Sequence, residues 1–226
     1  MAILYIIGTP IGNLGDMSYR AVETLKTLDL LACEDTRRTL KMLSHFGIHL
    51  PLLSCRAHNE GAAAVKVITA LAAGKTLGYA SDAGTPALSD PGAALVQQVV
   101  QAGHEVIPLP GPSAFTALVS VSGGRDKSIA FEGFLSPKAG RRRSRLKALL
   151  AQDAAFVLYE SPFRILKLLE DLTEFDRDRY LCVGREMTKL HEEYLRGSVE
   201  EVKARLAEKQ EIRGEFSVFV SGNKAH

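Results

Sequence analysis

The first half of the chain alternates short apolar runs with amphipathic segments. The runs have the continuity of strands buried on both faces, and they lie at 3–7, 30–33, 52–55, 76–80 and 105–108. Segments with apolar residues at helical spacing lie at 18–28, 39–46, 60–73, 90–102 and 113–121. The fourth helix is predicted to begin at Asp90-Pro91, an N-cap followed by proline. This alternation predicts a parallel sheet covered by helices on both faces.

The second half repeats the alternation with fewer elements. Strands are predicted at 130–135, 155–160, 180–184 and 215–220, and helices at 142–150, 164–172 and 199–209. A polar, glycine-rich joint, Ser122-Gly-Gly-Arg-Asp-Lys, separates the halves. The predicted fold class is therefore α/β, with two α/β domains at residues 1–121 and 127–226.

Composition adds only limits to this picture. The chain has 226 residues, 46% of them hydrophobic, so it can fold without a metal or a disulfide. Its formal net charge is only +2, so contact with nucleic acid would need a local patch. No apolar run is long enough to cross a membrane, and the N-terminus lacks a basic leader. The cysteines, at 33, 55 and 182, fit no zinc or disulfide spacing, so we expect no metal site and a cytoplasmic protein.

Glycine- and proline-rich loops follow several of the predicted strands. They read Gly8-Thr-Pro-Ile-Gly-Asn, Ser81-Asp-Ala-Gly-Thr-Pro and Leu109-Pro-Gly-Pro-Ser-Ala. Ligands of open α/β sheets bind beyond the carboxyl ends of strands, where such loops let the backbone approach a ligand closely. We interpret the loops as a cofactor site, and a purely structural role is the less favoured alternative. Their glycine spacing matches no dinucleotide fingerprint, and Gly74-Lys-Thr lacks the rest of a P-loop.

Two charged segments could contact a substrate. Glu34-Asp-Thr-Arg-Arg-Thr follows another strand and should face the same site, although Asp35 could equally cap a helix. Arg37 and Arg38 could bind phosphates or lie in solvent, and the sequence favours neither interpretation. The densest basic run comprises Lys138, Arg141, Arg142, Arg143, Arg145 and Lys147. Such a run is usually a solvated helix face, but here phosphate contact is favoured because the run directly follows a glycine-containing loop of the predicted cleft. It contains little aromatic interleaving, so it does not predict base stacking, and a folded RNA or subunit surface fits it better than a bare single strand.

The loops and their neighbours together resemble a known family. The chain is similar to the tetrapyrrole methylase superfamily and, within it, to the ribosomal RNA small subunit methyltransferase I group, the 16S rRNA cytidine 2′-O-ribose methyltransferases. Besides the three loops, the matching segments are Glu34-Asp-Thr-Arg-Arg-Thr, Phe131-Glu-Gly-Phe-Leu, Tyr159-Glu-Ser-Pro-Phe-Arg, Arg185-Glu-Met-Thr-Lys and Gly214-Glu-Phe. Two positions depart from the family pattern: Ser136 replaces a proline, and Phe163 replaces a histidine, which makes a base at position 163 doubtful.

The resemblance implies S-adenosylmethionine as cofactor, bound in a cleft between the domains of a homodimer. The substrate it implies is 16S rRNA, within the small ribosomal subunit. The implied cofactor contacts are Pro10, Ser81, Asp82, Ala83, Gly84, Thr85, Gly111, Pro112, Ser113, Ala114, Tyr159 and Glu215. Asp82 could accept hydrogen bonds from ribose hydroxyls or balance the cofactor's positive charge, but it could also be an ordinary turn residue.

The implied reaction is an in-line displacement at the cofactor's methyl group, for which alignment of the hydroxyl is the main task. A base or an electrostatic stabiliser should assist. The candidate catalytic residues are Glu34, Asp35, Glu160, Glu186 and Lys189, with Lys138 and Arg164 as further stabilising cations. The candidate RNA-binding residues are Arg37, Arg38, Lys138, Arg141, Arg142, Arg143, Arg145 and Arg164. Two alternatives stay open: a methylase for a tetrapyrrole or other small acceptor, and a non-catalytic RNA- or nucleotide-binding module.

Overall fold

A computed structural model describes residues 2–222, which divide into two compact units between Ser113 and Ala114. This division precedes the fifth helix, whereas the glycine-rich joint at 122–127 follows it. The physical reason is packing, because Leu118 of that helix is buried with Val157, Cys182 and Phe219 of the second unit. The helix therefore belongs to the second sheet.

The first unit is built on five parallel strands. They are β1 to β5, at Ile3–Ile7, Leu30–Cys33, Leu52–Ser54, Leu77–Ala80 and Glu105–Leu109. Their order across the sheet is β3-β2-β4-β1-β5, and every neighbouring pair is parallel. The predicted parallel sheet is thus confirmed, and all five carboxyl ends reach the same edge.

Helices cover both faces of this sheet. They are α1 to α4, at Tyr19–Leu25, Thr36–His45, Glu60–Ala72 and Ala93–Gln101, with a short 3-10 helix at Leu14–Asp16. Neighbouring strand residues point to opposite faces: Leu31 packs with Leu25 and Leu43, while Ala32 packs with Val67 and Leu95. This two-sided burial explains why the strands read as continuous apolar runs.

Two helix starts in the first unit differ by three residues from the sequence prediction. Helix α2 begins at Thr36, three residues before position 39, because the Asp35 side chain caps it by accepting from the Arg37 N–H. The prediction that Asp90 caps the fourth helix is wrong, since α4 begins at Ala93 after Gly92. The carboxylate of Glu60 accepts the Gly92 and Leu95 N–H groups instead.

The second unit contains a mixed sheet. Its strands β6 to β10 lie at Ile129–Phe134, Ala155–Glu160, Tyr180–Arg185, Glu193–Ser198 and Phe216–Val220. The order is β6-β7-β10-β8-β9, with β6 and β7 parallel and β10 antiparallel to both of its neighbours. Strands β6, β7 and β8 therefore point the same way. The sequence did not reveal β9, an edge strand in which only Leu195 is buried.

The helices of the second unit are α5 to α8, at Ala114–Ser122, Ala139–Leu150, Ile165–Asp176 and Val199–Ala207. Helix α8 begins with a capping box, in which the Ser198 and Glu201 side chains each accept the other's backbone N–H. Helices α6, α7 and α8 bury their apolar faces with Phe156, Val218 and their neighbours on one side of the sheet. Within residues 2–222, no helix has the length and apolarity needed to cross a membrane.

Candidate functional site

The three glycine- and proline-rich loops meet at the carboxyl edge of the first sheet. The Gly8 N–H donates to the Leu109 carbonyl at 3.1 Å, which joins the first loop to the third. Thr9 and Gly84 exchange backbone hydrogen bonds of 2.9 and 3.0 Å, which join the first loop to the second. Backbone bonding therefore holds the three loops as one rigid edge.

Two glycines at this edge allow the closest backbone approach. A Cβ on Gly8 would lie 2.8 Å from the Gly111 Cα, and a Cβ on Gly111 would lie 2.7 Å from the Gly8 carbonyl oxygen. Gly84 has a φ of +79°, which favours glycine. The geometry of the loops therefore explains these three glycines without a ligand, which was the alternative structural role. It also keeps their backbone groups at the edge of the sheet.

The Glu34-Asp-Thr-Arg-Arg segment lies against the second loop, as expected from their shared sheet edge. The Asp82 carboxylate accepts the Asp35 N–H at 2.9 Å, and an Arg38 guanidinium nitrogen lies 3.3 Å from it. The Asp82 N–H in turn faces the Glu34 carboxylate at 3.4 Å. These contacts fix the position of the Asp82 carboxylate.

Asp82 borders two cavities of the first unit. A cavity of about 210 Å³ is lined by Thr9, Pro10, Leu14, Arg38, Lys41, Met42 and Asp82. A second, of about 390 Å³, is lined by Glu34, Asp35, Arg37, Arg56, Ala57, His58 and Asp82. The first has apolar side chains beside the loop backbone, whereas the second is lined mainly by charged groups.

Asp35 is occupied by structural contacts. Its carboxylate accepts the Arg37 backbone N–H at 2.9 Å and binds the Arg37 guanidinium at 2.7 Å. These hydrogen bonds hold the pKa of Asp35 well below its ordinary value. These contacts favour the capping role of Asp35, the alternative given by the sequence. The same carboxylate also binds the exposed guanidinium of Arg37.

Asp90 joins the acidic groups of this edge and was missed as a site residue. Burial, together with the nearby charges of Glu34 and Asp82, raises its pKa to about 6. Ala87 and Ser89 just before it both have a φ of 66°, a strained conformation for residues other than glycine. In the sequence, the one feature that could have indicated this role is the position of Asp90 after the second loop. Asp90-Pro91 is also a typical helix start, which favoured the capping interpretation.

The remaining cofactor candidates occupy varied positions. Ser81 is buried, while Ala83 and Thr85 are exposed. The Thr85 hydroxyl reaches the Pro112 carbonyl at 3.5 Å, which ties the second loop to the third. Ser113 is buried at the end of the first unit, and Ala114 begins α5.

In the second unit, Glu160 and Arg164 form an ion pair after β7. Their charged atoms are 2.7 Å apart, and the Glu160 side chain is only 1% exposed. Glu160 also accepts the Ser161 N–H, and Arg164 donates to the Leu135 carbonyl at 2.8 Å. This arrangement gives both residues a structural role, and a buried, paired carboxylate is a poor candidate for a base.

Glu186, Lys189 and Glu215 form a cluster after β8. The Lys189 ammonium lies 2.8 Å from Glu186 and 3.0 Å from Glu215, and the Glu215 N–H donates to Glu186 at 2.9 Å. Burial alone would raise the pKa of Glu186, but the Lys189 hydrogen bond and the Glu215 N–H outweigh it and lower the pKa. Burial would likewise lower the pKa of Lys189, and its two carboxylate partners raise it.

Tyr159, the second-unit cofactor candidate on β7, lies in a row of aromatic rings. Its ring centre is 5.0 Å from that of Phe131 and 5.7 Å from that of Phe134. Phe131 in turn contacts Phe115. Edge contacts of this kind hold the Tyr159 ring in place.

The basic run separates into bound and available cations. Arg142 is buried against Asp171 at 2.7 Å, and Arg143 binds both Asp171 and Glu174. The Arg145 guanidinium is paired with Glu132, although it stays partly exposed. Arg142 does not fit the predicted RNA contact, because its guanidinium is enclosed. Lys138 and Arg141 are exposed, and neither is in an ion pair with any residue in the range 2–222.

Comparison with known proteins identifies the group to which this arrangement belongs. The family described as Tetrapyrrole (Corrin/Porphyrin) Methylases matches residues 3–203. Proteins named Ribosomal RNA small subunit methyltransferase I are similar throughout. The one from Borrelia garinii is 44% identical over 97% of this chain and 98% of its own. The one from Thermotoga maritima is 43% identical over 99% of this chain and 100% of its own.

Solved structures agree with this fold. A uroporphyrin-III-C-methyltransferase from Thermus thermophilus has a TM-score of 0.68 at 18% identity, covering 98% of this chain and 94% of its own. A diphthine synthase has a TM-score of 0.70 at 16% identity, covering 97% and 90%. At such identities the likeness concerns the fold alone. The resemblance seen in the motifs is confirmed, and the chain belongs to the tetrapyrrole methylase family, among the relatives named ribosomal RNA small subunit methyltransferase I.

Proposed function

We propose that this protein is an S-adenosylmethionine-dependent methyltransferase that modifies the ribose 2′-hydroxyl of a decoding-region cytidine in 16S rRNA. The names of its relatives support methylation of small-subunit ribosomal RNA. The observation that carries the proposal is the edge of the first sheet, where backbone hydrogen bonds join three loops and the second loop presents a carboxylate, Asp82, that borders two cavities. We further propose a cytoplasmic homodimer that acts on the small ribosomal subunit.

The loops fit the cofactor's chemistry. Gly84 has a positive φ and Gly111 packs directly on the Gly8 backbone, so both positions leave the loop backbone free of side chains. Backbone groups near Ala83 and Thr85 suit a polar adenine edge or a carboxylate, and Asp82 suits ribose hydroxyls or an amino group. Pro10, Ser81, Pro112, Ser113 and Ala114 complete the proposed contacts in the loops. When bound, S-adenosylmethionine supplies an electrophilic methyl group.

Among the four carboxylates proposed as a base, Glu34 is the strongest candidate. Asp35, Glu160 and Glu186 each bind a cation within hydrogen-bond distance. Within the described part of the chain, the Glu34 carboxylate is in no ion pair, and it lines the larger cavity beside Asp82. A free carboxylate on a polar cavity can accept the proton that a ribose hydroxyl loses during methyl transfer. Lys189 is held by two carboxylates and is better suited to positioning.

Methyl transfer tests the function directly. The protein is incubated with methyl-labelled S-adenosylmethionine and, in separate reactions, with unmodified 30S subunits, naked 16S rRNA and a corrin precursor. We expect label in RNA, at the 2′-oxygen of a single cytidine by nuclease mapping and mass spectrometry. Label in the corrin alone would overturn the proposal. Calorimetry should also detect cofactor binding, and its absence would favour a non-catalytic binding module.

The same assay ranks the site residues. Asp82→Asn should weaken cofactor binding about tenfold or more, because it removes a charge-assisted acceptor. Glu34→Gln keeps the shape of the side chain but removes its basicity, so turnover should fall by about 100-fold with little change in cofactor affinity. Asp35→Asn is the matched control and should change turnover far less. Equal losses for both variants would contradict the role of Glu34.

A further inference from the structure

The second unit exposes aromatic side chains at the carboxyl edge of its sheet. Phe163, in the loop after β7, is 91% exposed, and Phe134, at the end of β6, is 60% exposed. A phenylalanine left in water adds almost nothing to folding, because the benefit of an apolar side chain comes from its burial. Together these two exposed rings therefore need an explanation outside the fold.

Tertiary structure brings these rings to neighbouring loops. Strands β6 and β7 are parallel neighbours, and Phe134 pairs with Tyr159 in the ladder. The loops that follow both strands are joined by the hydrogen bond from Arg164 to the Leu135 carbonyl. One side of Phe134 is supported by the Tyr159 ring, whose position Phe131 fixes. These contacts hold in place the ends of β6 and β7, from which the two exposed rings project.

Two exposed cations follow the loop after β6. Lys138 is the residue before α6 and Arg141 lies in its first turn. Both are exposed, in contrast to the paired Arg142, Arg143 and Arg145. Exposed aromatic rings beside exposed cations are the combination with which proteins hold unpaired nucleotides, the rings stacking on bases and the cations contacting phosphates.

We propose that Phe163 and Phe134 are a stacking platform for unpaired bases of the RNA substrate, with Lys138 and Arg141 contacting the flanking phosphates. This inference rests on the proposed function, because it assumes an RNA substrate. It adds the recognition of single-stranded nucleotides, which the basic run by itself did not predict. A second copy of the chain would be a less suitable occupant, since unpaired cations beside the rings oppose apolar self-association.

The chain contains no tryptophan, so Phe163→Trp creates a single fluorescent reporter at the platform. Titration with a single-stranded cytidine decamer should quench its fluorescence saturably, since a stacked base contacts the indole directly. Val65→Trp, on the exposed face of α3 in the first unit, is the matched control and should not be quenched. Equal fluorescence changes at both positions, or none at position 163, would overturn the proposal.

Activity separates stacking from a structural role. Phe163→Ala should raise the KM for 30S subunits about tenfold, with cofactor affinity unchanged, and Phe163→Tyr should restore the wild-type KM because it keeps a π-face. Unchanged KM in Phe163→Ala, or conversion of a dimer to a monomer in sedimentation, would overturn the platform. Should wild-type protein methylate no RNA, the proposed function fails, whereas the quenching experiment still reports on RNA stacking.

Discussion

The carboxyl edges of the two sheets hold their charged groups differently. At the first, Glu34, Asp82 and Asp90 lie among loops joined by backbone hydrogen bonds. At the second, exposed phenylalanines and the cations Lys138 and Arg141, which are unpaired within residues 2–222, lie at or after the ends of β6 and β7. The carboxylates Glu160 and Glu186 are bound to arginine or lysine. A carboxylate outside any ion pair, such as Glu34, suits proton transfer, whereas unpaired cations suit phosphates.

Sheet topology explains part of this difference. In the first unit every strand runs in the same direction, so all five following loops reach one edge and can bond to one another. In the second unit β9 and β10 run against the other strands, so only the loops after β6, β7 and β8 share an edge. Ion pairs such as Arg164–Glu160 help to hold that edge.

The largest expected effect tests whether the basic run consists of structural, paired cations and exposed, unpaired ones. Arg142→Ala should lower the free energy of unfolding by about 3 kcal/mol, because it leaves the buried Asp171 short of a partner. Urea denaturation measures this change. The exposed neighbour is the control, and Arg141→Ala should change stability by no more than about 0.5 kcal/mol. If Arg142→Ala instead preserved stability and weakened RNA binding, Arg142 would belong with the available cations.

The next effect tests the backbone-held edge of the first unit. Gly111→Ala should cost about 2 kcal/mol of stability, since its Cβ would press on the Gly8 carbonyl, and backbone cannot move aside as a flexible side chain can. Cofactor binding should be lost with it. Gly61→Ala, in α3 with open space around the new Cβ, should instead stabilise by up to about 1 kcal/mol. Calorimetric melting compares the two, and equal effects would contradict a strained loop contact.

A smaller effect concerns pH. The pKa of Asp90 is raised to about 6 in the folded protein, so the folded state binds its proton more tightly than the unfolded state does. This contribution to stability is complete below about pH 4 and is lost as the pH rises through about 6. Between these limits, wild-type protein should lose about 1 kcal/mol more than Asp90→Asn, after allowance for partial solvent exposure. Parallel curves for both proteins would place Asp90 outside the acidic cluster.

The smallest effect sharpens the contrast between the two edges. Lys138→Ala should weaken RNA binding only a few-fold and reduce the slope of log affinity against log salt by about 1. Arg145→Ala provides the comparison, because Glu132 already neutralises that guanidinium and little change should follow. Filter binding over a range of salt concentrations measures both. Equal slopes for the two variants would mean that pairing does not decide which cations meet the RNA.

The sequence by itself determined the order of most elements and the positions of the glycine- and proline-rich loops. Strands β2 and β7 lie at the predicted residues, because strands that are buried on both faces carry a local and continuous apolar signal. The loop motifs also sufficed to identify the family. The sequence did not predict β9, because an exposed edge strand needs few apolar residues. It also did not predict the division after Ser113, because a glycine-rich segment says nothing about which sheet the preceding helix packs on.

Only the tertiary structure decided which charged residues are available. Asp35 and Glu34 are neighbours in sequence and line the same cavity, yet the Asp35 carboxylate is bound to Arg37, whereas the Glu34 carboxylate is in no ion pair with any residue of 2–222. Arg142 and Arg141 are also neighbours, and only Arg142 meets an aspartate, at position 171. The partner of Arg142 lies 29 residues away in the chain, and local composition does not encode such a contact. The same reason hid Phe134 and Phe163, whose shared edge exists only once β6 and β7 pair.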